Sequence, residues 1–284
     1  MFHSTQHGAL HLAIFVRRFL IWYCSSPEEE THNTTSPCAV PFLKTKGCIA
    51  VSFRIFGTSF LFINSHFPAH ESQIKSRLEE YESVISNVSL PKDLSYLKPK
   101  YLTGDLTGRF DYAFWFGDLN FRIDLPWDEV DSFLYEYKLH KSSFEDGLNY
   151  ILNHDQLYVS MKKYDVFRGF NEAPITFFPT YKFKPQTDIY DLHEKRVPSY
   201  TDRILYKTKR LGQIINYQYD CVSDIQTSDH RPVFGLFEAK LRERKDDVPF
   251  NAGQFNRNVY IEGLKQRAHD VGRTDVEHQE CVLS

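Results

Sequence analysis

The stretch F-W-F-G-D-L-N-F-R, residues 114–122, joins an apolar run directly to a glycine, a carboxylate and an amide. The apolar run predicts a buried strand that ends at Gly117, and alternation along the chain points Asp118 and Asn120 to the same face. Fixed at a strand end, the carboxylate can activate a water molecule and the amide can orient a phosphate oxygen. Taken alone, such a string is more often an Asx-type turn that closes a strand.

A second segment delivers two charges into the start of an apolar strand. In R-V-P-S-Y-T-D-R-I-L-Y, residues 196–206, a loop containing proline leads to Asp202 and Arg203. If these charges are buried they need partners, and a phosphate or a catalytic histidine is a natural one. A structural Asp–Arg pair at the strand entrance is the alternative.

Two histidines extend this set of candidate residues. T-S-D-H-R-P-V, residues 227–233, places Asp229 and His230 directly before a strand, and I-N-S-H-F places His66 at the end of another. A histidine held by a carboxylate can act as an acid or a base near neutral pH. A single D-H pair is usually a surface coincidence and a single buried histidine is usually structural, so both depend on their neighbours.

A cationic and aromatic segment, F-F-P-T-Y-K-F, covers residues 177–183. With Lys195 and Arg196 it could bind further phosphates on a multiply phosphorylated ring, Tyr181 donating a hydrogen bond and Lys182 supplying a compact charge. A solvated charged loop is the alternative explanation.

Composition sets the remaining limits. The chain has 284 residues, of which 42% are hydrophobic and 15% aromatic, which predicts one domain of mostly β or mixed α/β class with a polar tail. A formal net charge of -3 provides no global field for nucleic acid or an anionic membrane. The five cysteines show neither a disulfide framework nor paired zinc spacing. No apolar run is long enough to span a bilayer, and a cytosolic chain is expected.

Local patterns predict the order of the elements. A domain from residue 1 to 247 is expected to end near Val248, followed by a polar tail over residues 248–284, and residues 28–41 are expected to form a surface loop. Helices are predicted over 71–88 and 128–139, and strands over 12–16, 19–23, 49–55, 59–64, 110–116, 176–181, 203–206 and 233–239.

Taken together and in this order, the segments resemble the inositol polyphosphate 5-phosphatase catalytic domain. Its two signature motifs are matched by residues 114–122 and 196–205, and the resemblance covers residues 8–240. It implies a four-layered α/β sandwich of the deoxyribonuclease-I-like superfamily. It also implies hydrolysis of the 5-phosphate of phosphoinositides, phosphatidylinositol 3,4,5-trisphosphate and 4,5-bisphosphate, by attack of water with Mg²⁺ bound near Asp229.

The resemblance implies a role for each residue of the reaction centre. Asp118 would activate the water, Asn120 would orient the phosphate and His66 would contact it. His230, supported by Asp202, would stabilise the transferred phosphoryl group.

The resemblance also implies a set of substrate contacts. Tyr181 and Lys182 match the positions that recognise the 4-phosphate, and Arg196 and Arg203 are expected to bind substrate with them. Lys195 is a further candidate, although the segment before the Arg-x-Pro motif is one residue shorter than in the family.

The largest departure from the family lies at the front of the chain. The family opens with a strand that carries an Asn and then a Glu that binds magnesium, and nothing before His66 matches either. The expectation is an N-terminally truncated domain of low activity. A catalytically impaired, membrane-tethered interaction protein therefore stays open, as does a nuclease of the same superfamily. The Tyr181-Lys182 segment and Tyr200 favour the phosphatase, with no nucleic acid partner.

The last four residues, C-V-L-S from Cys281, fit the C-a-a-X prenylation pattern, with a terminal serine that favours farnesyl. One prenyl chain holds a membrane only reversibly, so a prenyl-binding carrier protein is an expected partner beside phosphoinositide head groups. The family resemblance suggests membranes of the Golgi and the primary cilium.

Overall fold

The computed structural model describes residues 1–33, 46–92, 94, 104–139, 144–191 and 196–241. Short 3-10 helices cover Arg18–Tyr23, Glu71–Gln73 and Leu106–Arg109. The α-helices are α1 Ile74–Asn87, α2 Trp127–Leu139, α3 Phe144–Asn153 and α4 Gln156–Lys162. The strands are β1 His3–His7, β2 Leu10–Ile14, β3 Glu28–Asn33, β4 Gly47–Ile55, β5 Thr58–His66, β6 Tyr112–Asp118, β7 Asn171–Glu172, β8 Asp202–Thr208, β9 Ile214–Cys221 and β10 Val233–Ala239.

A mixed six-stranded sheet in the order β3-β4-β5-β6-β8-β7 forms the centre of the fold. β5 and β6 are parallel, and every other pair is antiparallel. A parallel pair needs a crossover, and the connection that contains α1 supplies it. The α/β class predicted from the sequence is confirmed.

The aromatic run of β6 is buried on both faces of this sheet because its side chains alternate. Trp115 lies in the core shared with α1, where its ring packs against Tyr81 with centroids 5.4 Å apart. Phe114 points to the other face and contacts Phe237 of β10. β6 is therefore held from two layers at once.

Two antiparallel ribbons, β1–β2 and β9–β10, cover that other face. Leu12 of β2 packs against Ile49 and Val51 of β4, while the β9–β10 ribbon packs against β6 and β8. The described residues therefore form helices, a central sheet and a ribbon layer. None of the helices in this part of the chain has the length and hydrophobicity needed to span a bilayer.

Several predicted elements are confirmed, namely the strands at 49–55, 59–64, 203–206 and 233–239 and the helices at 71–88 and 128–139. The strand predicted over 19–23 is wrong, because this segment forms a 3-10 helix that crosses the β4–β5 turn, with the Tyr23 ring stacked on Phe56. The loop predicted over 28–41 is wrong in part: its first residues form β3, a polar strand whose one neighbour among the described strands is β4. Residues 34–41 lie outside the described residues.

Other elements carried no clear sequence signal. The strand predicted over 176–181 is wrong, since only Tyr181 makes isolated bridges there. The sequence did not predict α3, α4, β1, β7 and β9. The domain boundary near Val248 and the tail lie outside the described residues.

Gly117, at the end of β6, is predicted to be intolerant of a side chain. Its φ is 126°, and a Cβ there would overlap the backbone carbonyl oxygen of Ser65 on the neighbouring strand. We expect Gly117→Ala to lower the free energy of unfolding by more than about 2 kcal/mol, measured by urea denaturation.

Gly108→Ala is the matched control for this experiment. A Cβ at Gly108 meets no atom within 4 Å, so the change should be close to neutral. Equal stabilities for the two variants would contradict the close approach of β5 and β6.

Candidate active site

Three neighbouring strands end at one edge of the sheet and bring three predicted residues together. His66 closes β5 opposite Asp118 at the end of β6, and Asp118 lies opposite Asp202 at the start of β8. The pairing works because β5 runs parallel to β6 and β8 runs antiparallel to it. His66 Nε2 lies 3.3 Å from Asp118 Oδ2.

Asn120 holds the Asp118 carboxylate at two points. Its backbone N–H donates to Asp118 Oδ1 at 3.1 Å, and its side-chain Nδ2 donates to Oδ2 at 3.0 Å. The other hydrogen of Nδ2 bonds to the Phe67 carbonyl oxygen at 3.1 Å, and Asn120 Oδ1 accepts from Arg122 at 2.5 Å. Both hydrogens of the Asn120 amide therefore bond within the protein, where they hold Asp118 and the Phe67 carbonyl, and the expectation that this amide orients a phosphate oxygen stays a prediction.

His230 is held by Asp202. Its Nδ1 lies 2.8 Å from Asp202 Oδ2, which also accepts hydrogen bonds from the hydroxyls of Thr180 and Thr201 at 2.8 and 2.9 Å. Burial lowers the pKa of His230, but the hydrogen bond and the charge of Asp202 outweigh it and the pKa lies above its ordinary value. With Nδ1 engaged, the ring can offer Nε2 to a substrate.

The two carboxylates at this edge differ in environment. Burial, followed by the charge of Asp202, raises the pKa of Asp118 to about 7, although His230, Arg122 and Lys46 oppose the rise. A carboxylate that titrates near neutral pH is suited to accept a proton from water. Asp202 lies beside the hydroxyls of Thr180 and Thr201 and keeps the His230 ring oriented.

Tyr181 forms one wall of the site. Its ring lies 4.5 Å from the His230 ring, and the Arg122 guanidinium carbon lies 4.6 Å from the Tyr181 centroid. Arg196 Nη1 donates to the Tyr181 hydroxyl at 3.0 Å. One arginine over the ring, a second at its hydroxyl and a neighbouring histidine make a surface that suits an anionic ligand.

Of the two lysines predicted to bind substrate, the structure describes Lys182. Lys182 Nζ lies 3.3 Å from Asp191 Oδ2, with about a quarter of its side chain exposed. Lys195 and Cys281 lie outside the described residues.

Arg203 does not join the site, so the prediction that it binds substrate is corrected. Successive residues of a strand point to opposite faces, and Asp202 takes the face toward His230. Arg203 is 1% exposed and bonds to both oxygens of Asp155 at 2.9 and 3.0 Å and to Glu172 at 2.6 and 2.7 Å. Arg203 is thus structural, but its partners are Asp155 and Glu172 and not the neighbouring Asp202 that the sequence alternative paired with it.

Asp229 lies beside His230, half-buried, with its Oδ1 accepting from Ser228 at 3.2 Å. Among the described residues no group of three or more His, Cys, Asp or Glu side chains could hold a metal ion. Magnesium prefers oxygen ligands and keeps several waters, so Asp229 could supply one ligand. These residues do not make a complete magnesium site by themselves.

Sequence reasoning missed two residues of this edge. Thr180 directly precedes the predicted Tyr181 and binds Asp202. Lys46 directly precedes β4, and its Nζ donates to the Phe67 carbonyl oxygen at 2.9 Å. The residue after Lys46 pairs with His66, and this pairing, which brings Lys46 to the site, is a tertiary feature that the local sequence does not show.

The sequence profile of the Endonuclease/Exonuclease/phosphatase family 2 matches residues 1–236. The chain therefore belongs to this family, whose fold the mixed sheet and its ribbons represent.

Among curated proteins, the chain is similar to phosphatidylinositol polyphosphate 5-phosphatase type IV. It is 43% identical to the Mus musculus protein and 41% identical to the Homo sapiens protein, over 99% of this chain and 42% of each relative. It is also 37% identical to phosphatidylinositol 3,4,5-trisphosphate 5-phosphatase 1 of Homo sapiens, over 69% of this chain and 16% of that protein. The chain thus spans less than half the length of the curated relatives it matches.

Among solved structures, the chain is similar to the inositol polyphosphate 5-phosphatase domain of SPsynaptojanin in complex with inositol (1,4)-bisphosphate and calcium ion. The TM-score is 0.66 at 28% identity, covering 95% of this chain and 70% of that one. A Cimex nitrophorin, in a ferrous NO complex, gives a TM-score of 0.54 at 28% identity, covering 76% of this chain and 65% of that one. Since one fold supports both a phosphatase domain and a nitrophorin, the function of this chain must be argued from its site.

Asp118→Asn is predicted to stabilise the metal-free chain at alkaline pH. A carboxyl whose pKa rises from 3.8 to about 7 on folding binds more protons in the folded state within that window. Ionisation of Asp118 therefore lowers the free energy of unfolding as the pH rises. We expect the variant to exceed the wild type by on the order of 2–4 kcal/mol at pH 8, with a smaller gap at pH 5.

Urea denaturation in EDTA measures both gaps, and the exposed Asp128→Asn serves as control. A gap that does not change with pH would contradict the assigned environment of Asp118.

Arg203→Met is predicted to destabilise the fold strongly. It leaves the buried Asp155 and the partly buried Glu172 without their cation, which costs about 3–5 kcal/mol. The control is Arg168→Met, whose partner Glu82 at 2.7 Å is nearly half exposed. That exposed pair contributes about 1 kcal/mol or less. Thermal denaturation compares the two, and similar losses would refute the distinction.

Proposed function

We propose that this chain carries the catalytic residues of a phosphatase that removes the 5-phosphate of phosphoinositides, phosphatidylinositol 3,4,5-trisphosphate and 4,5-bisphosphate. The observation that carries the proposal is the pairing of Asp118, held by Asn120, with a His230–Asp202 couple at one sheet edge. The similarity to named 5-phosphatases, and to a domain solved with inositol (1,4)-bisphosphate, supports the substrate class.

In this proposal Asp118 accepts a proton from the attacking water. Asn120 holds the carboxylate in position, and His66, 3.3 Å from it, contacts the phosphate. His230 donates to the transferred phosphoryl group while Asp202 keeps its ring oriented. Since the arrangement is preformed, the cost of orienting these groups is met by folding.

Tyr181, Lys182 and Arg196 form the recognition side for the 4-phosphate. Arg196 directs the Tyr181 hydroxyl, and Lys182 adds a partly exposed ammonium. Lys195 is proposed as a further cation on this side. A nuclease of the same superfamily would instead need a basic strip that follows a nucleic acid backbone.

Magnesium is the proposed cofactor, with Asp229 as one oxygen ligand. When bound, the ion would neutralise charge on the phosphoryl oxygens. The domain solved with calcium ion supports a divalent cation in this fold.

We propose that the polar tail, residues 248–284, carries a prenyl group on Cys281. A single prenyl chain gives reversible attachment, so a prenyl-binding carrier would deliver the protein to membranes of the Golgi and the primary cilium.

Phosphate release from short-chain phosphatidylinositol 4,5-bisphosphate, with Mg²⁺ or with EDTA, tests the proposal. Asp118→Asn should lower kcat by about a hundredfold or more while the fold persists, and the exposed Asp128→Asn should leave kcat unchanged. Retained turnover in Asp118→Asn would remove Asp118 from the mechanism.

The same assay separates the alternatives. Cleavage of a DNA duplex without lipid turnover would favour a nuclease. Absence of turnover, together with a melting temperature that Mg²⁺ does not change, would favour a membrane-tethered interaction protein.

A further inference from the structure

Lys46 is a cation at the site edge that the proposed mechanism has not used. It stands directly before β4, whose first residue, Gly47, pairs with His66. Gly47 has a φ of 145°, and a Cβ there would overlap the backbone carbonyl oxygen of His32. This close approach to β3 fixes the point from which the Lys46 side chain starts.

The Lys46 ammonium ends on a carbonyl that the site also uses. Its Nζ donates to the Phe67 oxygen at 2.9 Å, and the same oxygen accepts from Asn120 Nδ2 at 3.1 Å. The Phe67 N–H in turn donates to the Asp118 carbonyl oxygen at 3.0 Å. The Phe67 backbone, through its N–H and its carbonyl, therefore links the lysine to both residues of the Asp118–Asn120 pair.

Lys46 is one of several charged groups that influence the Asp118 carboxylate. Burial lowers the pKa of Lys46, and the charge of Asp118 is the strongest influence that opposes this. The charge of Asp202 raises the pKa of Asp118, whereas the charge of Lys46 lowers it. The other groups that face Asp118 are His66, Arg77, Arg122 and His230.

We propose that Lys46 is a positioning residue, which fixes the Phe67 carbonyl that holds Asn120 and supplies positive charge beside the Asp118 carboxylate. The predicted effect of Lys46 on turnover rests on the proposed function. In this role Lys46 acts on turnover through the Asp118–Asn120 pair.

The kinetic test compares Lys46→Met, which removes the charge, with Lys46→Arg, which keeps it. We expect Lys46→Met to lower kcat about tenfold or more and to change KM by less than about threefold. The acidic limb of its pH–rate profile should move up by about one pH unit. Lys46→Arg should recover most of kcat, and Lys75→Met, with a side chain 88% exposed, should match the wild type.

A double-mutant cycle provides a readout that needs no turnover. Unfolding is measured at pH 8 in EDTA for the wild type, Lys46→Met, Asp118→Asn and the double variant. Without Lys46 the Asp118 charge is less compensated. Asp118→Asn should therefore stabilise the Lys46→Met background at least about threefold more, in the unfolding equilibrium constant, than it stabilises the wild type.

Three results would overturn the inference. A raised KM with unchanged kcat would make Lys46 a substrate contact. Equal loss of activity and of melting temperature in Lys46→Met and Lys46→Arg would make it a packing residue. No coupling in the cycle would remove its link to Asp118. If the wild type releases no phosphate but the coupling is present, the proposed function fails while the link between Lys46 and Asp118 stands.

Discussion

The register of β5, β6 and β8 is the constraint on which the rest of the structure depends. His66, Asp118 and Asp202 are neighbours only because these strands pair residue for residue at one edge. A slip of one residue would turn Asp118 toward the opposite face of the sheet. The aromatic residues of β6 prevent such a slip, because Trp115 and Phe114 fill different cores on the two faces.

The same strand ends also show how the fold separates structural from reactive charge. On one face of β8, Arg203 is neutralised by Asp155 and Glu172 and almost wholly excluded from water. On the other face, Asp202 directs a histidine that is about a quarter exposed. Adjacent residues of one motif thus have different roles, because successive side chains of a strand point to opposite faces of the sheet. Groups on the open face can respond to a ligand, whereas the buried cluster cannot.

How far the sequence predicts this protein depends on what each signal reports. Long periodic or apolar segments such as α1, β5 and β6 were predicted well, because burial leaves a pattern in the residues themselves. β3 was missed because its residues are polar, and its partner β4 is invisible in a local window. Residues at the site were found through their motifs, whereas Lys46 was missed because only tertiary structure brings it to the Phe67 carbonyl. Arg203 was misassigned for the same reason, since Asp155 and Glu172 lie far from it in sequence.

The two strands that pair with β6 lie far apart in sequence, and this affects how the protein folds. β6 meets its parallel neighbour early in the chain, but its antiparallel neighbour β8 and the histidine before β10 follow much later. Contacts of long sequence separation form slowly, because the intervening chain must lose entropy before they can form. The environment that raises the pKa of Asp118 is therefore complete only once β8, which carries Asp202, has paired with β6.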